Sequence, residues 1–238
     1  MTLQLKTLKP FAQGGNRLCF IHPLDASRVI KVRRPEFTLA DLRKKKGFPR
    51  NLRPLSWLDD NKEEFRVMEQ IKRRHGEPAF EVLSHCYGFE DTDMGPGLTS
   101  ELIRNTDGLI SYSMMEFIWR NGYTTALTEA VKNFSKRWEL LLIPSRELLL
   151  HNILVQCDHQ NSIRRLVVID GLGSSGVIPF YWLPHSVRRY KTLKKITNLQ
   201  QRINEFLAVC ASGTLPNTFW QLKHDGKDEQ VKNNTDAS

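Results

Sequence analysis

No apolar run among the 238 residues approaches the roughly 20 that a bilayer-crossing helix needs, which excludes a helical membrane span. The opening Met1-Thr2-Leu3-Gln4-Leu5-Lys6 lacks an apolar stretch followed by a small-residue cleavage site, so a cytoplasmic rather than a secreted protein is expected. Cysteine is scarce. Cys19, Cys86, Cys157 and Cys210 are scattered without a Cys-x-x-Cys pair, too thin for a disulfide framework or a structural zinc site. The isolated pairs His85-Cys86 and Cys157-x-His159 read as structural rather than metal-binding. A Walker A loop is also missing, since no Gly-Lys is followed by Ser or Thr.

What is present fits a folded protein of one large or two small domains. Hydrophobic residues make up 40% and charged residues 26%, enough for a core. Lys and Arg number 35 against 26 Asp and Glu, a net charge of +9 that favours anionic partners without choosing among nucleic acid, acidic lipid and phosphorylated ligands.

Along the chain, Arg17–His22 and Arg28–Val32 are β-prone runs around the turn-rich His22–Ser27, which predicts a hairpin. A dense positive stretch follows, from Arg33 to Arg53. Asp59-Asp60-Asn61 then offers cap chemistry to a helix carrying Phe65, Met68 and Ile71 and ending near His75-Gly76. Strands are predicted around Val82–Phe89 and Leu98–Ile103, with a turn over Asp91–Gly97 between them. The polar break Asn105–Gly108 marks a boundary, giving a β-rich part over 1–104 and a mainly helical part over 105–222. Leu127, Ala130, Val131, Phe134, Trp138 and Leu141 share one helical face, as do Leu199, Ile203, Phe206 and Cys210. Ile153–Cys157 and Leu166–Ile169 form an embedded hairpin, and 223–238 reads as a disordered polar tail. The fold class expected is α+β.

Asn152 and Asp170 bracket that hairpin. A symmetric antiparallel ribbon centred on Asn161 sets them opposite each other, about 5 Å apart. Two hard oxygen donors at that spacing suit Mg²⁺, which is held by one or two side chains plus substrate phosphates. The plain alternative is that Asn and Asp merely end the strands. Lys31 shares a strand face with Val29, opposite Ile30 and Val32. It is either an edge residue reaching water or a buried cation needing an acidic partner, for which Glu63 and Glu64 are available. Gly14-Gly15 would let backbone N–H groups approach an anion, although two-glycine turns are common. Gly171-Leu172-Gly173-Ser174-Ser175-Gly176 matches GxGxxG, but Pro179 and Pro184 interrupt the helix that a dinucleotide fold requires there.

The order of parts is glycine turn, strand lysine, helix glutamate, break, asparagine, hairpin and Asp-Gly, which is the order in protein-kinase-like phosphotransferases. At Ala12-Gln13-Gly14-Gly15-Asn16-Arg17, Val29-Ile30-Lys31-Val32, Glu64, Asp107-Gly108, Asn152-Ile153-Leu154 and Asp170-Gly171-Leu172-Gly173 the sequence resembles the YrbL family, bacterial proteins named for the PhoP regulatory network and regarded as kinase-like. The resemblance spans about Leu8 to Leu222. It implies a bilobal protein-kinase-like fold, with a small β-rich N-lobe containing one helix and a mainly helical C-lobe. It implies Lys31–Glu64 as an ion pair, Asn152 and Asp170 as metal-side residues, and a hinge over Glu101–Arg104. Gly14, Gly15, Val29, Lys31, Glu101 and Ile103 would then contact ATP, with Mg²⁺ as the second cofactor.

The departures weigh against transfer more than against binding. Kinases place a base aspartate five residues before the asparagine, where this chain has Glu147. One added methylene matters, because a displacement of about 1 Å can cost on the order of 10²-fold in rate. No His-Arg-Asp or Ala-Pro-Glu segment is recognisable. Three readings stand: a kinase-like ATP–Mg²⁺ binder acting on an unidentified phosphate acceptor, a pseudokinase-type scaffold for a protein partner, and a nucleic-acid binder using Arg33–Arg53 and Arg188–Lys195. The last is not favoured, because those patches read as solvated basic faces lacking interleaved aromatics.

Overall fold

A computed structural model describes residues 1–14, 16–46, 59–158, 162–174 and 178–213. Gly15, the part of the basic stretch beyond residue 46, Asn161 and the polar tail lie outside the described residues. The class is mixed α+β, and the chain divides into two compact units.

The first unit comprises Met1–Gln70 and His85–Leu102 in its described part. Its five-stranded antiparallel sheet contains β1 (Ala12–Gln13), β2 (Arg17–His22), β3 (Asp25–Arg33), β4 (Cys86–Thr92) and β5 (Gly95–Glu101), in the order β1-β2-β3-β5-β4. The β2–β3 hairpin turns at Pro23-Leu24, tighter than the predicted His22–Ser27 turn. The alternation on β3 sorts its residues cleanly. Ile30 and Val32 join Leu3, Leu5 and Phe20 in one apolar cluster, leaving Val29 and Lys31 to the other face.

β4 begins only at Cys86, later than predicted, because Val82–Ser84, after a 3-10 turn at Glu77–Glu81, bond to Val168 instead. The predicted Asp91–Gly97 turn shrinks to two residues, and Gly95-Pro96-Gly97 enters β5. Proline is tolerated there because β3 pairs only with the later part of β5, Leu98–Glu101. Gly97 is required for a different reason. A Cβ on it would lie 2.4 Å from Ile30 Cγ2, inside the apolar cluster.

Two helices accompany the sheet. Helix α1 (Leu39–Lys46) was not foreseen in the basic stretch. Its start is a reciprocal cap in which the Asp41 N–H donates to Thr38 Oγ1 (3.2 Å) and the Thr38 N–H donates to Asp41 Oδ2 (2.9 Å). Helix α2 (Asp60–His75) is capped by Asp59, whose Oδ1 accepts from the Asn61 N–H at 2.9 Å. It ends at Gly76, φ 62°, as the sequence indicated.

In its described part the second unit takes Ile71–Ser84 and the described residues from Ile103 to Gly213. Helix α3 (Met114–Asn121), which the sequence reading missed, is capped by Ser113 Oγ accepting from the Glu116 N–H. Helix α4 (Thr125–Leu141) buries Leu127, Val131, Phe134, Trp138 and Leu141, five of the six positions its periodicity marked, while Ala130 stays half-buried. Helix α5 (His185–Ala211) buries Thr192, Leu199, Ile203 and Phe206, while Cys210 stays half-buried. The hairpin β6 (Ile153–Cys157) and β7 (Ile163–Val168) completes the unit. No helix among the described residues is long and apolar enough to cross a membrane.

Candidate functional site

In the first unit, β3 carries Lys31 and α2 carries Glu64, and the two meet. Lys31 Nζ donates to Glu64 Oε1 at 2.7 Å, with Lys31 5% and Glu64 7% exposed. Of the two candidate acids, Glu64 is therefore the one that pairs. A carboxylate this buried needs its second oxygen satisfied too, and Arg17 on β2 supplies that contact to Oε2. Arg17 Nη1 also donates to Asn61 Oδ1 (3.1 Å), and Asn61 Nδ2 donates to the Lys31 carbonyl (2.8 Å). The four residues close a ring of hydrogen bonds around the lysine. Cys86 lies close enough that burial, and then the Glu64 charge, push its thiol pKa up. That makes it a poor nucleophile.

The sequence reading missed Arg17 and Asn61, though both left a signal. Cys19 pairs with Lys31 across the hairpin, so Arg17, two residues earlier, lies on the face Lys31 uses. Asn61 precedes Glu64 by one helical turn and shares its face. Gly14 donates its N–H to the Arg17 carbonyl at 2.9 Å, closing the turn before β2. Val29 is buried on β3 opposite Ser100. Glu101 closes β5: its N–H donates to the His85 carbonyl, and its Oε2 accepts from the His85 N–H.

In the second unit, Ile103 packs with Leu154 and Val167, and its carbonyl accepts from the Ser111 N–H. The hairpin there corrects one expectation. Ile153 pairs with Val168 and Gln156 with Arg165, so Asn152 lies opposite Ile169 rather than Asp170; the Asn152 carbonyl accepts from the Ile169 N–H at 3.0 Å. The cause is at the turn. Asp158 closes on Ser162, a pairing that by itself would set Asn152 opposite Val168, and the extra residue left in β7 by the irregularity at Gln156/Cys157 recovers only one position, to Ile169. Asp170 thus falls just beyond the ladder.

The Asn152 side chain still reaches that segment. Its Nδ2 lies 3.3 Å from where a Cβ on Gly171 would stand. Asp170 Oδ1 accepts from the Gly171 N–H at 2.6 Å. Burial pushes the neighbouring His151 imidazole below its ordinary pKa, with the Asp170 charge opposing. Residues 144–146 pair with 171–173: the Arg146 N–H donates to the Gly171 carbonyl (2.8 Å) and the Gly173 N–H to the Pro144 carbonyl (2.9 Å). Glu147, the expected acceptor-positioning residue, has its carboxylate in an ion pair with Arg202 on α5. Nothing local in the sequence marked Arg202, since 54 residues separate the two.

Gly171 holds this corner together. Its φ is +81°, and an added Cβ would lie 2.9 Å from the Glu147 carbonyl oxygen. Gly171→Ala is therefore expected to destabilise by about 1–3 kcal/mol, combining backbone strain with the close approach. A thermal melt should show a fall of about 2–12 °C. An unchanged melting temperature would mean that the segment is not held in this conformation.

Among the described residues, no group of three or more His, Cys, Asp and Glu could hold a metal by itself.

A search of curated proteins finds no match. A family model does match, with the description PhoP regulatory network protein YrbL, over residues 3–204. Covering nearly the whole chain, that match makes the protein a member of the YrbL family of PhoP regulatory network proteins.

Proposed function

We propose that this protein binds ATP with Mg²⁺ through a protein-kinase-like, bilobal arrangement. In this reading Lys31 holds the α- and β-phosphates, Glu64 orients Lys31, and Asp170 and Asn152 ligate the metal. The observation that carries it is the buried Lys31–Glu64 pair at 2.7 Å. Burying an ion pair is weak evidence for stability alone, because apolar residues of similar size would serve as well. A lysine fixed by a carboxylate and ringed by Arg17 and Asn61 is better explained by a phosphate it has to meet.

Calorimetric titration of ATP with and without Mg²⁺ tests the proposal on wild type and Lys31→Ala. The variant should keep its fold, since Arg17 still neutralises Glu64. ATP–Mg²⁺ affinity should fall about 10- to 100-fold, the worth of a charge-assisted hydrogen bond. Equal affinities, or no binding by wild type, reject the proposal.

A second reading, a pseudokinase-type regulatory scaffold, is favoured by the ion pair that engages Glu147 with Arg202. A carboxylate engaged by a guanidinium is not free to position an acceptor hydroxyl. Incubation with labelled ATP and candidate acceptors separates the readings, because a scaffold leaves all the label on the nucleotide.

A further inference from the structure

The start of α5 and the turn before it present an unusual surface. No Asp or Glu occurs from Gly171 to Asn204, while Arg188, Arg189, Lys191, Lys194, Lys195 and Arg202 all fall within that stretch. The same stretch exposes large apolar side chains: Ile178 at 55%, Trp182 at 81%, Val187 at 37% and Tyr190 at 67%. A single exposed apolar residue needs no explanation, but four within thirteen residues do. The expectation that these cations lack interleaved aromatics is corrected at Tyr190, which stands exposed between Arg189 and Lys191.

The geometry is not that of a loose loop. Phe180 is buried, the Tyr181 hydroxyl lies 3.3 Å from His75 Nε2, and the Arg74 guanidinium stacks over the Tyr181 ring at 4.7 Å. Those contacts anchor the turn from which Trp182 projects. On α5, Val187, Tyr190, Lys191 and Lys194 recur at spacings of three and four, so they share one face. That face is opposite the buried stripe of Thr192, Leu199, Ile203 and Phe206. The outward side of the helix is thus apolar, aromatic and cationic at once. Arg189 is tied to Glu139 and Arg202 to Glu147, and the remaining cations have no acid in their own segment.

We propose that this surface, Ile178 to Lys195, docks on an anionic lipid bilayer. Charge complementarity selects a polyanion. The apolar members select the kind: Ile178 and Val187 have no π-face to stack on a base, whereas both gain by entering the headgroup–acyl boundary. Trp and Tyr are the side chains that settle at that interface, with Lys and Arg reaching to the phosphates. The inference is independent of nucleotide binding and needs no membrane span.

Flotation of the full chain with phosphatidylcholine vesicles, with and without about 30% phosphatidylglycerol, tests it. Binding should require the anionic lipid and weaken as salt rises from about 50 to 500 mM. Lys191→Glu/Lys194→Glu should lower partition about tenfold or more. Trp182→Ala/Tyr190→Ala, which leaves the charge unchanged, should lower it about fivefold or more. All four positions lie outside the α5 core stripe, and circular dichroism melts would establish that both variants fold. Equal binding to neutral vesicles, no binding to either, or partition unchanged in both variants overturns the proposal. So does capture of single-stranded RNA in the absence of vesicle binding, which would make the polyanion a nucleic acid.

Discussion

Glu64→Ala is expected to destabilise the protein by about 3–5 kcal/mol, the cost of removing one partner from a buried ion pair. The cost is large because two cations lose their counter-charge together. The Lys31 and Arg17 side chains are only 7% and 13% exposed, and Glu64 answers each with a different oxygen. Asn61 cannot replace it, since its oxygen already accepts from Arg17 and its amide already donates to the Lys31 carbonyl. Lys31→Ala should cost less, because it leaves a carboxylate still paired with Arg17. Urea unfolding of the two variants measures the difference. A loss below about 1 kcal/mol for Glu64→Ala would place the pair with solvent-screened surface bridges and remove the structural basis of the proposed phosphate site.

Asp170→Ala carries the second large effect. If Asp170 holds the metal, ATP with Mg²⁺ at about 100 times its Kd stabilises wild type by about 2.7 kcal/mol, a rise in Tm of about 5–11 °C. The variant should lose the Mg²⁺-dependent part of that rise. Asp170 stands just past the last β6–β7 pair, with one oxygen held by the Gly171 N–H, so its removal leaves the ladder itself intact. A full nucleotide shift retained in Asp170→Ala would reject the metal assignment and leave the Lys31 prediction standing. The two variants therefore fail separately.

Much of the fold was legible because it is local. The α4 stripe from Leu127 to Leu141 needs only the period of a helix, and the buried positions match it. The face split on β3 needs only the period of a strand, and it places Lys31 away from the Ile30–Val32 cluster. Asp59 and Gly76 mark the ends of α2 through capping chemistry that any chain would use. Helix α3 escaped notice because it is short, and β4 started late because Val82–Ser84, which read as strand-forming, bond to Val168 instead.

The candidate site residues, Lys31, Glu64, Asn152 and Asp170, were thus singled out by the amino-acid order. Tertiary structure decided their company. It chose Glu64 over Glu63, added Arg17 and Asn61 to the pair, tied Glu147 to Arg202, and moved Asn152 from Asp170 to Ile169. Periodicity acts within a few residues and follows from backbone geometry, whereas these contacts depend on a bulge, a turn and chain crossings that no local pattern encodes.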